Sequence, residues 1–193
     1  MAYAASWWVW APVQVVGFCL LTAALAQVRI PVPGTPVPMT LQTLAVLLAG
    51  FALPPLRAAA AMLLYMLAGW MLLLVDPGGL SFFAAFTLNP LGLTGGYLLG
   101  FLVAAPLVSL LCRHHRAGVL RITAAGIAGT AAVFLFGTLW LWQAMPGGVG
   151  SAIAVGVMPF MPQAAIKLAL AVTVVVCGRR LGGWFMGRSD GYR

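Results

Sequence analysis

The sequence predicts an all-α, polytopic membrane protein with six transmembrane helices, and three observations carry that prediction. Hydrophobic residues fill 63% of the 193 positions and charged residues only 6%. The mean hydropathy is +1.07, which leaves too little polar surface to cover a soluble globule. The apolar residues also fall in long runs punctuated by Pro, Gly and Arg, the pattern of a chain that crosses a bilayer repeatedly.

The first run extends from Pro12 to Val28. Its Ala24-Leu25-Ala26 resembles a signal-peptide cleavage site, but the preceding MAYAASWWVWAP has no Lys or Arg and its tryptophans suit an interfacial belt, so the run is read as a first span. Arg29 ends it. In the following IPVPGTPVP, Pro31, Pro33, Pro36 and Pro38 forbid regular helix and predict a stiff, polyproline-like loop. A second span, Thr40 to Leu53, is short for about 30 Å of hydrocarbon. The third runs from Arg57 to Val75. After Asp76-Pro77-Gly78-Gly79, the apolar Leu80 to Leu88 is too short to span and predicts a re-entrant or lid-like segment. Pro90 to Cys112 and Leu120 to Ala144 form the fourth and fifth spans, MPGGVGS reads as a loop, and Met158 to Cys177 forms the sixth. All six belong to a single transmembrane domain over residues 1–193.

Six spans put both termini on one side. Arg57, Arg113, Arg116, Arg121, Arg179, Arg180, Arg188 and Arg193 share that side, against Arg29 alone on the other, so the termini are expected in the cytoplasm. The net charge of +8 therefore reports topology; it does not form the single basic face of a nucleic-acid binder. Cys19, Cys112 and Cys177 lie in or beside spans without a CxxC, and His114 and His115 sit in a basic loop, so no metal site and no cofactor are expected. Small residues recur four apart at Cys19 and Ala23, Thr22 and Ala26, Gly96 and Gly100, and Gly126 and Thr130, a spacing that lets helices approach closely. Either internal packing or contact with another membrane subunit satisfies it.

Catalysis finds little support. No GK precedes Ser or Thr as a P-loop requires, no GxSxG elbow is present, and the two acids, Asp76 and Asp190, are expected on opposite sides of the membrane. The chain reads as a non-enzyme. No expected span contains an Asp or Glu, so the usual coupling group of a proton- or sodium-driven carrier is missing as well.

One residue stands out. Lys167, the only lysine, lies inside the apolar run Ala164 to Cys177, where a cation costs about 2.5–3.5 kcal/mol on insertion scales and so marks either a functional site or a snorkelling side chain. Thr40, Gln42, Asn89, Thr94, Tyr97 and Gln163 fall in the same outer half. Together they suit a small anionic ligand with an amide-like portion. Singly, Gln42 and Asn89 also read as helix-start or loop hydrogen-bonders, Tyr97 as a belt anchor, and Trp70, Phe82, Phe83 and Phe86 as either pocket wall or lipid-facing surface.

Three stretches resemble the BioY family, the biotin-specific substrate-binding (S) components of energy-coupling factor (ECF) transporters. They are RIPVPGTPVPMTLQTLAVLLAG (29–50), LTGGYLLGF (93–101) and VMPFMPQAAIKLALA (157–171). The resemblance implies an ECF S-component-like fold in a bacterial-type plasma membrane. The substrate site would face outward, made of Arg29, Thr40, Gln42, Asn89, Thr94, Tyr97, Gln163 and Lys167. It further implies biotin or a similar small carboxylate as ligand, and as partners a membrane coupling subunit, met through Cys19, Thr22, Ala23 and Ala26, and two cytoplasmic ATPases. No nucleic acid is implied. The chain departs from the family pattern at Leu93, where Pro is usual, at Gln163 for Gly, at Ala164 for Asp, and in LLLVDPGGLSFF after the third span. Two alternatives stand beside biotin capture: another small carboxylate as ligand, or a structural membrane protein with no ligand.

Overall fold

The computed structural model describes residues 3–75, 93–112 and 118–186. In chain order these form α1 (Tyr3–Ala26), β1 (Arg29–Ile30), β2 (Met39–Thr40), α2 (Gln42–Ala52), α3 (Pro55–Val75), α4 (Gly95–Leu111), α5 (Val119–Ala144), α6 (Gly148–Gly156), a 3-10 turn (Met158–Phe160) and α7 (Met161–Met186). By length and composition, Val119–Ala144 and Gly148–Arg179 are each apolar enough to cross a membrane, while α2 is a shorter apolar helix. At about 1.5 Å per residue α2 spans roughly half of a hydrocarbon core.

Each long helix has one face turned outward. On α7, Ile166, Leu170 and Val174 recur four apart and are exposed, whereas Lys167 and Ala171 are buried. On α5, Ile127 and Leu135 are exposed while Ala125, Val133 and Leu141 are buried. An apolar exterior of this extent belongs to a protein solvated by lipid.

Close packing depends on small residues. A Cβ at Gly96 would meet Trp140 and the carbonyl of Phe136, and one at Gly100 would lie 2.8 Å from Val133 Cα, so α4 and α5 approach at backbone distance only because both positions lack a side chain. The α1 stripe is equally internal. Cys19, Thr22, Ala23 and Ala26 are 0–4% exposed, and Cys19, Ala23 and Ala26 pack in one core with Ala58, Ala61, Met62 and Tyr65 of α3. Within this chain they pack against its own helices, and Thr22 donates its hydroxyl to the Phe18 carbonyl at 2.7 Å.

Two loops also differ from expectation. The Pro-rich segment is not an extended polyproline strut, because its proline-free ends pair antiparallel, Arg29 with Thr40 and Ile30 with Met39. Between them the chain turns at Gly34, whose φ of 80° suits a residue without Cβ. The glycine-rich stretch read as a loop contains the start of α6, entered through Gly147 at φ 109°. The RHHR loop and Asp76 to Asn89 lie outside the described residues.

Candidate functional site

A second and a third core cluster complete the packing. On one side Leu47, Val108, Ile122, Ala125 and Ala171 close the gap between α2, α4, α5 and α7. On the other, Val37 of the Pro-rich loop packs with Leu141, Ala152 and Phe160. Beside the second of these lies a cavity of about 420 Å³, which Val37 and Phe160 line, within the range of roughly 300–1,000 Å³ typical of small-molecule sites.

From α7 the cavity receives Gln163, Ala164 and Lys167. Residues 163 and 167 are one helical turn apart and so share a face. Lys167 is 6% exposed and makes no hydrogen bond or ion pair to any described residue. Its burial and its place in the cavity lining resolve its geometry: it points inward, not into lipid.

The β1–β2 pairing brings the second cation to the same space. Arg29 lines the cavity and donates Nε–H to the Ala26 carbonyl at 3.3 Å, satisfying a terminal carbonyl of α1. Partial burial lowers its guanidinium from the ordinary value, yet arginine starts so high that it remains charged. Opposite Arg29 in the ladder, Thr40 donates its hydroxyl to Gln42 Oε1 at 2.8 Å, and Gln42 Nε2 donates to the Tyr65 hydroxyl at 2.5 Å. Tyr65, on α3 and 1% exposed, thus fixes the amide of Gln42 from behind.

The far wall comes from α4 and α5. Tyr97 occupies the space that a side chain at Gly137 would need and donates its hydroxyl to the Gly156 carbonyl at 2.7 Å. Thr35 does the same to the Val155 carbonyl at 2.7 Å. Two hydroxyls, one from the Pro-rich loop and one from α4, thereby satisfy the last carbonyls of α6, groups that a helix end leaves open. Thr94 sits at the N-terminal cap position of α4 and lines the cavity, and Phe101, Phe134 and Phe160 supply apolar surface.

Arg29, Thr40, Gln42, Thr94, Tyr97, Gln163 and Lys167, far apart in sequence, therefore line one cavity. Asn89 lies outside the described residues, as do Phe82, Phe83 and Phe86, while Trp70 is exposed and away from the lining. Sequence reasoning missed Thr43, Tyr65, Thr130 and Phe134. A hydroxyl inside an apolar run is the available signal for Tyr65 and Thr130; the phenylalanines carry none. Among the described residues there is no Asp or Glu and no group of His, Cys and acids able to hold a metal ion. A cavity that combines two basic side chains, two amides, several hydroxyls and aromatic walls suits a compact organic anion with an amide-like polar head.

Known proteins agree with this architecture. A curated probable biotin transporter of Pyrococcus horikoshii is 32% identical over 169 residues, covering 86% of this chain and 92% of the relative. A biotin transporter of Thermotoga maritima is 32% identical over 155 residues, covering 79% and 86%. The crystal structure of the S-component for biotin from an ECF-type ABC transporter superposes with a TM-score of 0.75 over 91% of this chain and 92% of that one. At 22% sequence identity the match speaks to the fold alone. The family model described as the BioY family matches residues 4–183, and the chain belongs to that family.

Proposed function

We propose that this protein is the biotin-binding S component of an ECF-type vitamin uptake transporter, an integral membrane protein that captures substrate while separate coupling and ATPase subunits supply the energy. The observation that carries this reading is the inward-facing Lys167 in the same cavity as Arg29, with no carboxylate among the described residues to neutralise either. Biotin offers a carboxylate on an apolar tail and a ureido ring with two N–H donors and a carbonyl, which match basic side chains, aromatic walls and the amides of Gln42 and Gln163.

The cavity opens to the exterior in this reading, and both termini are cytoplasmic within one transmembrane domain of the plasma membrane. The positive-inside rule supports this, since Arg57, Arg121 and Arg179 belong to the helix ends remote from Gln42 and Lys167. In a cysteine-free background, a cysteine placed at Thr35 should label from outside while one at Ala117 stays protected. The reverse pattern overturns the orientation.

Ala164, where the family pattern has Asp, favours one second reading: an S component turned to another small carboxylate. Titration of the purified protein with labelled biotin, then competition with other small carboxylates, decides between them. Saturable one-site binding supports biotin capture. Failure to bind biotin at micromolar concentration, with competition-free stabilisation by another carboxylate, supports the second reading.

A further inference from the structure

Most polar side chains around the cavity already have partners within the protein. Thr40, Gln42 and Tyr97 are bonded as described, and Thr130 donates to the Gly126 carbonyl at 2.9 Å. Gln163 is different. It lines the cavity, its Oε1 is buried without a hydrogen-bond partner, and its amide makes no bond to any described residue. Buried polar atoms in native proteins are nearly always paired, so an unpaired amide at the edge of a ligand-sized cavity calls for a partner from outside the chain.

The chemistry of that partner follows from the amide. A glutamine side chain carries an acceptor and a two-proton donor on adjacent atoms, and rotation about its last torsion presents them in either order. Its complement is an N–H beside a C=O held cis, so that two hydrogen bonds close a ring. One edge of a cyclic urea presents that pair. Gln163 also lies one turn from Lys167, about 6 Å along the axis, which separates a head-reading group from a cation on one helix face. Ala164, its neighbour, offers no polar side-chain atom.

We propose that Gln163 is the specificity residue for the ligand's head, pairing through both amide atoms with one N–H/C=O edge of the ureido ring while Lys167 faces the carboxylate. This rests on the biotin reading above and gives Gln163 a defined pairing within it. The opposing possibility is that Gln163 turns its carbonyl onto the Lys167 ammonium and serves only to hold that side chain.

The test uses the full-length protein in detergent, with labelled biotin as probe and heptanoate, a carboxylate tail without a ring, as competitor. Gln163→Met removes the amide and keeps the length. It should weaken biotin at least tenfold while changing the heptanoate inhibition constant less than twofold, and Gln163→Leu should behave alike. Lys167→Met should weaken both ligands. Unchanged biotin affinity in both Gln163 variants, or equal loss of biotin and heptanoate, overturns the proposal; the second result is the signature of a residue that merely holds Lys167. If the parent itself binds no biotin, the functional reading fails and this proposal with it. A parent that binds beside variants that bind equally well sinks only the role of Gln163. Unfolding midpoints without ligand, matched to the parent within about 3 °C, exclude a folding defect.

Discussion

The cavity end of the bundle and the end remote from it draw on the same apolar helices but treat polar side chains in opposite ways. At the remote end polar groups find partners within the chain: Ser109 donates to the Leu53 carbonyl at 2.6 Å, Arg121 to the Leu111 carbonyl at 2.7 Å, and Arg57 to Gln14 Oε1 at 2.9 Å. At the cavity end Lys167 and Gln163 have no partner among the described residues, although Lys167 and the Gln163 Oε1 are buried. Burying a polar group without a partner is destabilising, so the first arrangement serves folding, and the second is tolerated where a ligand completes it.

Substitutions at the two ends should therefore separate cleanly. The largest effect is expected at Lys167→Met, which keeps the apolar stem and leaves a ligand carboxylate buried without its cation. The loss should be on the order of 2–5 kcal/mol, at least about 30-fold in biotin affinity, with no drop in the ligand-free unfolding midpoint. Biotin titration beside a thermal melt checks it, and a mutant that binds like the parent removes Lys167 from the site.

Ala23→Trp comes next. Because Ala23 is fully buried against α3, the added ring should overpack the core by about 1–3 kcal/mol or more and lower stability and binding together. Intact biotin binding with failed uptake would instead return this stripe to a subunit interface. Ser109→Ala should leave the Leu53 carbonyl unsatisfied and destabilise by about 1–3 kcal/mol, read by thermal denaturation, while the affinity for biotin stays within twofold. The smallest change is expected for Tyr65→Phe, which frees one donor of Gln42. Roughly 0.5–1.5 kcal/mol should be lost, appearing as a several-fold weaker biotin affinity if Gln42 must be held, and only as lower stability if it need not.

The parts of this contrast differ in how readable they were beforehand. Lys167 and Gln163 stood out because a polar group in an apolar run is costly wherever it points, and Arg29 because it broke the positive-inside pattern. Which way Lys167 points became readable only from its own burial and its place in the cavity lining. The small-residue spacings announced close helix approach but could not name the approaching helix. Gly96 and Gly100 meet α5 and Ala23 meets α3, yet the same spacing would serve an external partner. The pairing of Arg29 with Thr40 was hidden by the four intervening prolines, which fix local φ but say nothing about where the loop ends meet. Helix α6 was hidden because its glycines, Gly148, Gly150 and Gly156, give no pattern of side chains to read.

Tyr97 shows how such local fits constrain the protein's history as well as its shape. Its ring fills the volume left open by Gly137, and its hydroxyl lies 2.7 Å from the place a Cβ on Gly156 would take. A methyl group at Gly137 would collide with the ring unless position 97 became smaller first, one at Gly156 would meet both that hydroxyl and Leu141 Cδ1 at 2.5 Å, and a smaller residue at 97 would open a void beside α5 and strip the α6 carbonyl of its donor. Neither glycine can change alone without penalty. The three positions, apart in the chain, are bound into one unit of inheritance, in which the order of substitutions matters as much as their identity.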